Sequence, residues 1–333
     1  MIRASLARAL ALFVALGVSG ANAATPYAER DDVKQFIGEM VDRHGFARGE
    51  LQFLFSRVRY QPDVIKAITP PTEHRAKSWH AYRALFLTPL RINAGVRFGE
   101  QHRDALQRAF ELYDVPAEII VAIIGVESVY GRNTGNYRVI DTLTTLAFDY
   151  LPRAEFFRSE LENFLLYSRD TGIDLFKLKG SYAGAIGIPQ FMPGSYRRYA
   201  VDHDGDGRSD LSGSFSDAIG SVANFLKEHG WQAGKPAAFA AQVQGEKFRK
   251  LVDAGSKPQH RCADLPGSGV RMAGEAGADA LCALIELESA GAPNEYRVGL
   301  TNFYVLTRYN RSIHYATAVL DLAQAIKSAA RTK

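Results

Sequence analysis

Residues 116–127 read PAEIIVAIIGVE, with Ile, Val or Ala at nearly every position from Ala117 to Val126 and a carboxylate, Glu127, at the end. A helix apolar on nearly every face is buried on every face, so a mainly α protein is expected to be built around it. Pro116 is a suitable first residue for such a helix. A carboxylate at its end is exposed to desolvation, which raises its pKa and keeps it protonated near neutral pH, the state of a general acid. Taken alone, a Glu at a helix end is more often a solvated surface residue; its neighbourhood has to decide.

Upstream, Val33, Phe36, Ile37, Met40 and Val41 fall on one helix face, and further helical patterns cover Trp79 to Phe98, restarting at Pro89, and Gln101 to Tyr113. Pro70-Pro71 breaks the run, and Asp114 is placed to cap the helix that follows. Downstream, helices are expected over 141–148, over 152–169 with a stop at Gly172, and over 217–229 closed by Gly230. Between them lie a glycine-rich loop, 180–194, and an acidic loop, 202–217. From Trp231 to Thr307 short mixed segments, with a β-like alternation over Arg297–Thr307, suggest a small β-containing lobe, and a last helix runs from about Tyr315 to Ala330.

The chain has 333 residues, a formal charge of +4 and two cysteines. That charge is spread along the chain, compatible with an anionic polymer and not a nucleic-acid signature. Arg3 and Arg8, the apolar run Ala9–Val18 and Ala21-Asn22-Ala23 have the parts of a secretory signal ending at Ala23. The run is too short for a membrane span, and neither Cys262 nor Cys282 stands where a lipid anchor would attach, so export to the periplasm without a span or lipid anchor is expected. In an oxidising compartment the two cysteines are compatible with one disulfide or with two buried thiols.

Asp202-His203-Asp204-Gly205-Asp206-Gly207 matches the first half of an EF-hand loop, with oxygen ligands at positions 1, 3 and 5 and Gly at 6. The second half departs: position 12 is Gly213, and Ser209 takes the usual apolar place. Asp217 either closes the loop or pairs with Ser214 as a capping box. No zinc spacing, C-x-x-C or phosphate-binding glycine motif is present.

Several long segments carry a resemblance: IIVAIIGVESVYGRNTG, LKGSYAGAIGIPQFMPGSYRRYAVDHDGDG, DAIGSVANFLKEHGW, NFYVLTRYNRSIHYATAV, WHAYR at 79–83 and YLPRAEFFRSELENFLL at 150–166. Together they resemble the family of membrane-bound lytic transglycosylase B and its soluble relatives, over roughly residues 75–230 and 300–328. The resemblance implies an α+β fold: a lysozyme-like α core (116–231) with the EF-hand-like loop, a helical lobe (24–115, completed by 312–330) and a small β-containing lobe (232–311). It implies a monomeric lyase acting on peptidoglycan glycan strands, with Glu127 as the acid/base and no catalytic cofactor. Cell-wall synthesis enzymes are its possible protein partners.

Residue by residue, the match places Ser181, Tyr182, Gln190, Phe191, Met192, Arg153, Asn224, Tyr309, Asn310 and Tyr315 on the glycan groove. It makes Asp202, Asp204, Asp206, the Arg208 carbonyl and Asp217 the ligands of a structural calcium ion. Two departures stand out: the family's paired arginines are reduced to Arg153 after Pro152, and a family tyrosine is Phe225. A hydrolase would need a second carboxylate, and Asp141, Asp149 and Glu155 are read as capping or solvent-facing residues. A muramidase-type hydrolase and a non-catalytic peptidoglycan-binding scaffold are the competing readings.

Overall fold

The computed structural model describes residues 25–69, 78–277 and 279–332. The expected signal segment and the Pro70-Pro71 break lie outside the described residues. The chain divides into one compact unit ending at Val58 and another beginning at Arg59, so the lobe limits expected near 115 and 231 fall inside the second.

In the first unit, helices Asp31–His44 and Arg48–Arg57 meet through Phe36 and Phe55, whose rings stand edge to face at 6.1 Å. Gly45, at φ 69°, ends the first helix in the left-handed conformation that glycine adopts without steric cost.

The second unit is organised around helix Ala117–Ser128, where every residue from Ile119 to Gly125 is buried. Helices Pro89–Gln101, Arg103–Tyr113, Phe215–Glu228 and Ile313–Arg331 pack on it. Pro89 does restart the helix: Thr88 caps it by accepting from the Arg91 N–H at 3.2 Å. Asp114 does not cap the helix after it. It adopts φ 57° as the left-handed end of Arg103–Tyr113, and its carboxylate accepts from Lys227 Nζ at 3.3 Å.

Helix Val139–Asp149 is buried from Val139 through Phe148, which corrects the reading of Asp141 as a capping or solvent-facing residue. Asp141 is 1% exposed and is held by Arg138 Nε at 2.7 Å, Arg138 Nη2 at 2.8 Å and the Arg59 N–H at 3.0 Å. A helix buried along its whole length has no solvated side on which to place a charge, so the charge is neutralised internally.

Five antiparallel strands form one sheet in the order His260–Arg261, Leu281–Leu287, Glu295–Gly299, Ala238–Val243, Val270–Met272. One face covers a small core of Phe248, Leu265, Val270, Leu284 and Val298, where Cys262 and Cys282 are buried free thiols. The expected β pattern of Arg297–Thr307 is corrected: the strand ends at Gly299 and Thr301–Tyr309 is a helix. Phe303 and Leu306, three residues apart, share its buried face, and Asn302 fastens its start by accepting from the Gln232 N–H at 2.7 Å.

Candidate active site and acidic loop

The buried helix ends abruptly just past Glu127. Val129, Tyr130 and Gly131 all have positive φ (53°, 60° and 79°), an uncommon run for residues with a Cβ, and it turns the chain sharply away. Glu127 retains partial solvent access while its carboxyl is surrounded by protein. Its Oε1 accepts a 2.6 Å hydrogen bond from the Tyr315 hydroxyl, which the last helix brings from 188 positions along the chain. Desolvation pushes the Glu127 carboxyl up to about 7, and the Tyr315 hydroxyl pulls in the opposite direction.

Tyr309 and Tyr315 stack at 6.3 Å with an interplanar angle of 13°. The hydroxyls of Tyr309, Tyr315 and Tyr82 are all held above the ordinary range, by burial first and by the charge of Glu127 in addition. Of the three, Tyr315 donates to Glu127 directly, while the Tyr309 hydroxyl donates to the Pro189 carbonyl at 2.6 Å. Tyr82 was missed as a site residue because a tyrosine in a short helix, Trp79–Ala84, has no local pattern that links it to residue 127.

The glycine-rich loop folds onto itself. Ser181 Oγ accepts from the Ala183 and Ala185 N–H groups at 3.2 and 3.1 Å. Gln190, at φ 52°, turns its amide to the carbonyls of Gly187 at 2.7 Å and Thr134 at 3.1 Å. Phe191 is 2% exposed and packs beneath Tyr309 at 5.7 Å, so it supports the tyrosine from behind. Asn224 donates to the Tyr199 carbonyl at 3.0 Å, whereas Tyr182 is exposed. Gly135, at φ 94°, permits the close approach of this loop, since a Cβ there would stand 2.0 Å from the Gly180 oxygen.

A cavity of about 700 Å³ gathers Arg153, Met192, Tyr309 and Asn310 with Phe225 and His229. Phe225 lies under His229, ring centres 4.0 Å apart, and edge-on to Tyr309 at 4.9 Å, so the site lost as a tyrosine is filled as an aromatic wall. Glu160, Arg308 and Arg311 also line it. Sequence reasoning missed these three because charges on separate elements show no common spacing.

In the acidic loop, carboxylate oxygens of Asp202, Asp204 and Asp217 lie within 4.8 Å of one another, the only group of its kind among the described residues. Asp206 is not in that group; its Oδ1 accepts from the Arg208 N–H at 2.9 Å. Asp217 is fully buried, and desolvation first, then the Asp204 charge, hold its carboxyl above its ordinary value. Half of the capping box forms: Ser214 Oγ accepts from the Asp217 N–H at 3.1 Å, while the Asp217 carboxylate turns to the N–H groups of His203 and Asp210, each at 2.8 Å. A cluster of hard oxygen donors carrying three negative charges fits a calcium ion.

Comparison with known proteins gives the family and the fold. Residues 28–324 match the family model described as Transglycosylase SLT domain, and the chain belongs to that family. It is 42% identical over 309 residues to membrane-bound lytic murein transglycosylase B of Escherichia coli (strain K12), covering 90% of this chain and 84% of that one. Among solved structures, the catenated lytic transglycosylase SltB1 of Pseudomonas aeruginosa superposes with a TM-score of 0.86 at 46% identity, covering 91% of this chain and 99% of that one. The Escherichia coli lytic transglycosylase Slt35 in complex with calcium gives 0.79 at 42% identity, with coverages of 92% and 94%. The chain is thus an enzyme of the lytic transglycosylase type, with the expected α+β fold.

The Tyr315 contact has a measurable consequence. A hydrogen bond to a charged group is worth about 1.5–3 kcal/mol, so its loss is expected to raise the Glu127 pKa by about one unit or more. In Tyr315→Phe the alkaline limb of the pH–activity curve should move to higher pH. A limb that stays in place or moves down would show that the hydroxyl does not act on Glu127.

Proposed function

We propose that this enzyme cleaves the β-1,4 bond between N-acetylmuramic acid and N-acetylglucosamine in peptidoglycan, with Glu127 as its single acid/base, in the turnover and remodelling of the cell wall. The observation that carries the reading is the desolvated Glu127 carboxyl, pushed up to about 7 and bonded to Tyr315. Hydrolases of glycosides ordinarily pair two carboxyls roughly 5–10 Å apart, one of them to recruit water or attack the sugar. Here one group does both proton transfers. Protonated Glu127 gives its proton to the glycosidic oxygen as the bond to C1 breaks, and the substrate's N-acetyl group supports the cationic centre. The resulting carboxylate then takes the proton of the C6 hydroxyl as that oxygen bonds to C1. The product is a 1,6-anhydro ring and no water is consumed.

In this reading residues 116–231 are the catalytic core. Ser181, Tyr182, Gln190, Phe191, Met192, Arg153, Asn224, Tyr309, Asn310 and Tyr315 shape the groove, with Phe191 behind Tyr309, and the rings of Tyr182 and Tyr309 offer apolar faces to sugars. Asp202, Asp204 and Asp217, with Asp206 and the Arg208 carbonyl, hold a structural calcium ion. The enzyme works in the periplasm after removal of residues 1–23.

Product analysis tests the chemistry. Purified peptidoglycan digested in oxygen-18 water is expected to yield ends one water lighter than hydrolysed ends and without the label. Labelled reducing ends would show that water attacks, and the single-carboxylate route would be abandoned. For the acidic loop, calcium at 100 times its Kd should stabilise the fold by about 2.7 kcal/mol, so chelation should lower Tm by roughly 5–10 °C. Asp217→Ala should abolish that response; a melting curve indifferent to chelator would leave the loop a solvated turn.

The alkaline limb follows from the same carboxyl. Glu127 must carry its proton to act as the acid, so kcat/KM is expected to be flat below pH 7 and to fall about tenfold per pH unit above it. A profile that rises through pH 7 would assign the acid to another group.

A further inference from the structure

The last turn of any helix leaves carbonyls without an intrahelical donor. In Ala117–Ser128 the shortage is sharpened by the positive-φ run: the Val129 and Tyr130 N–H groups both turn to the Ile124 carbonyl, so Val129 does not serve Gly125. The Gly125 carbonyl instead accepts from Arg91 Nη1 at 2.6 Å, a charge-assisted bond supplied by a different helix. Arg91 is only partly exposed, and among the described residues no carboxylate lies within ion-pair distance of it. Its guanidinium faces the negative end of the helix that carries Glu127, with the Phe86 ring 5.2 Å away.

The surroundings hold Arg91 in place. The Tyr130 hydroxyl donates to the Arg91 carbonyl at 2.9 Å. A Cβ on either Gly95 or Gly125 would come within 2.6 Å of that same hydroxyl, so both glycines make room for it between the two helices. Arg91, Gly95, Gly125 and Tyr130 thus form a bracket two residues from Glu127, and a desolvated cation spent on a single carbonyl calls for a reason beyond fold stability.

We propose that Arg91 is a positioning residue for Glu127: seated on the Gly125 carbonyl, it fixes the final turn of the helix and with it the direction of the Glu127 carboxyl. This rests on Glu127 being the acid/base. A displacement of about 1 Å in a reacting group can cost on the order of 100-fold in rate, so the effect is read in kcat.

Steady-state kinetics on soluble glycan strands prepared from purified peptidoglycan would compare wild type, Arg91→Met, Arg91→Lys and Glu127→Gln. Arg91→Met is expected to lose about 10-fold or more in kcat with KM within about twofold of wild type. Arg91→Lys, which restores a cationic donor, should recover most of it. Wild-type kcat in Arg91→Met overturns the proposal, and a raised KM with kcat intact would make Arg91 a substrate-binding group instead. If Arg91→Met does not fold, Tyr130→Phe carries the test, since it removes only the anchoring hydroxyl. There, a kcat loss at unchanged KM supports the proposal and an unchanged kcat overturns it. An active Glu127→Gln would sink the acid/base reading whatever Arg91 does. An inactive Glu127→Gln beside a fully active Arg91→Met would sink the positioning role alone.

Discussion

Glu127→Gln should reduce turnover of purified peptidoglycan about 100- to 10,000-fold while leaving the fold intact, the range typical for loss of a general acid/base. The amide keeps the shape of the carboxyl and accepts the Tyr315 hydroxyl as before, but it has no proton to give at any working pH. The loss is expected in kcat, with glycan binding retained, because the side chains proposed for the groove are untouched. Turnover within tenfold of wild type, with the melting temperature unchanged, would show that the proton comes from elsewhere. Under the single-carboxylate reading neither half of the reaction then has an agent.

The second large effect concerns stability. Asp141→Ala leaves the Arg138 guanidinium without its carboxylate and removes the acceptor for the Arg59 N–H and for Gln61 Nε2, the latter at 3.3 Å. Breaking a buried pair by deleting one partner costs about 3–5 kcal/mol, because the other charge stays in a poorly solvated place. For a domain of this size Tm should fall by roughly 10 °C. Arg138 is partly exposed, which puts the cost toward the lower end of the range. Asp141→Asn, which keeps an acceptor but loses the charge, should fall between wild type and Asp141→Ala. A change in Tm of under about 2 °C for Asp141→Ala would mean that the guanidinium simply turns to solvent.

These two carboxylates also show where sequence reading succeeds and stops. Glu127 stood out because its whole helix is apolar, a local property that survives without knowledge of the fold. Asp141 was misread because a carboxylate at the start of a helix is ordinarily a cap or a solvated residue; only the burial of Val139–Phe148 shows that no face is left for solvent. The alternation in 297–307 failed for a related reason. Apolar residues spaced by two and three satisfy both a strand and a helix; the helix that follows Gly299 is fastened at its start by Asn302, which bonds the Gln232 backbone 70 positions away.

The acidic loop lies between these cases. Its Asp-x-Asp-x-Asp-Gly spacing is a local signal and places Asp202 and Asp204 together, yet Asp217 joins them through the helix that Ser214 caps, while Asp206 does not enter the cluster. The resemblance named Tyr309 and Tyr315, whereas nothing in their own segment would have singled them out.

What the amino-acid sequence determined by itself was the buried helix, its terminal carboxylate and the acidic loop, because apolar patterning and close spacing are properties of neighbouring residues; the family came from the resemblance of several long segments. What only the tertiary structure decided was the company that carboxylate keeps. Tyr82 beside it, the hydrogen bond that Tyr315 makes to it, and the Arg91 bracket behind it arise because separate helices converge on one buried segment. Contacts across 188 positions are fixed by packing, for which no local pattern exists.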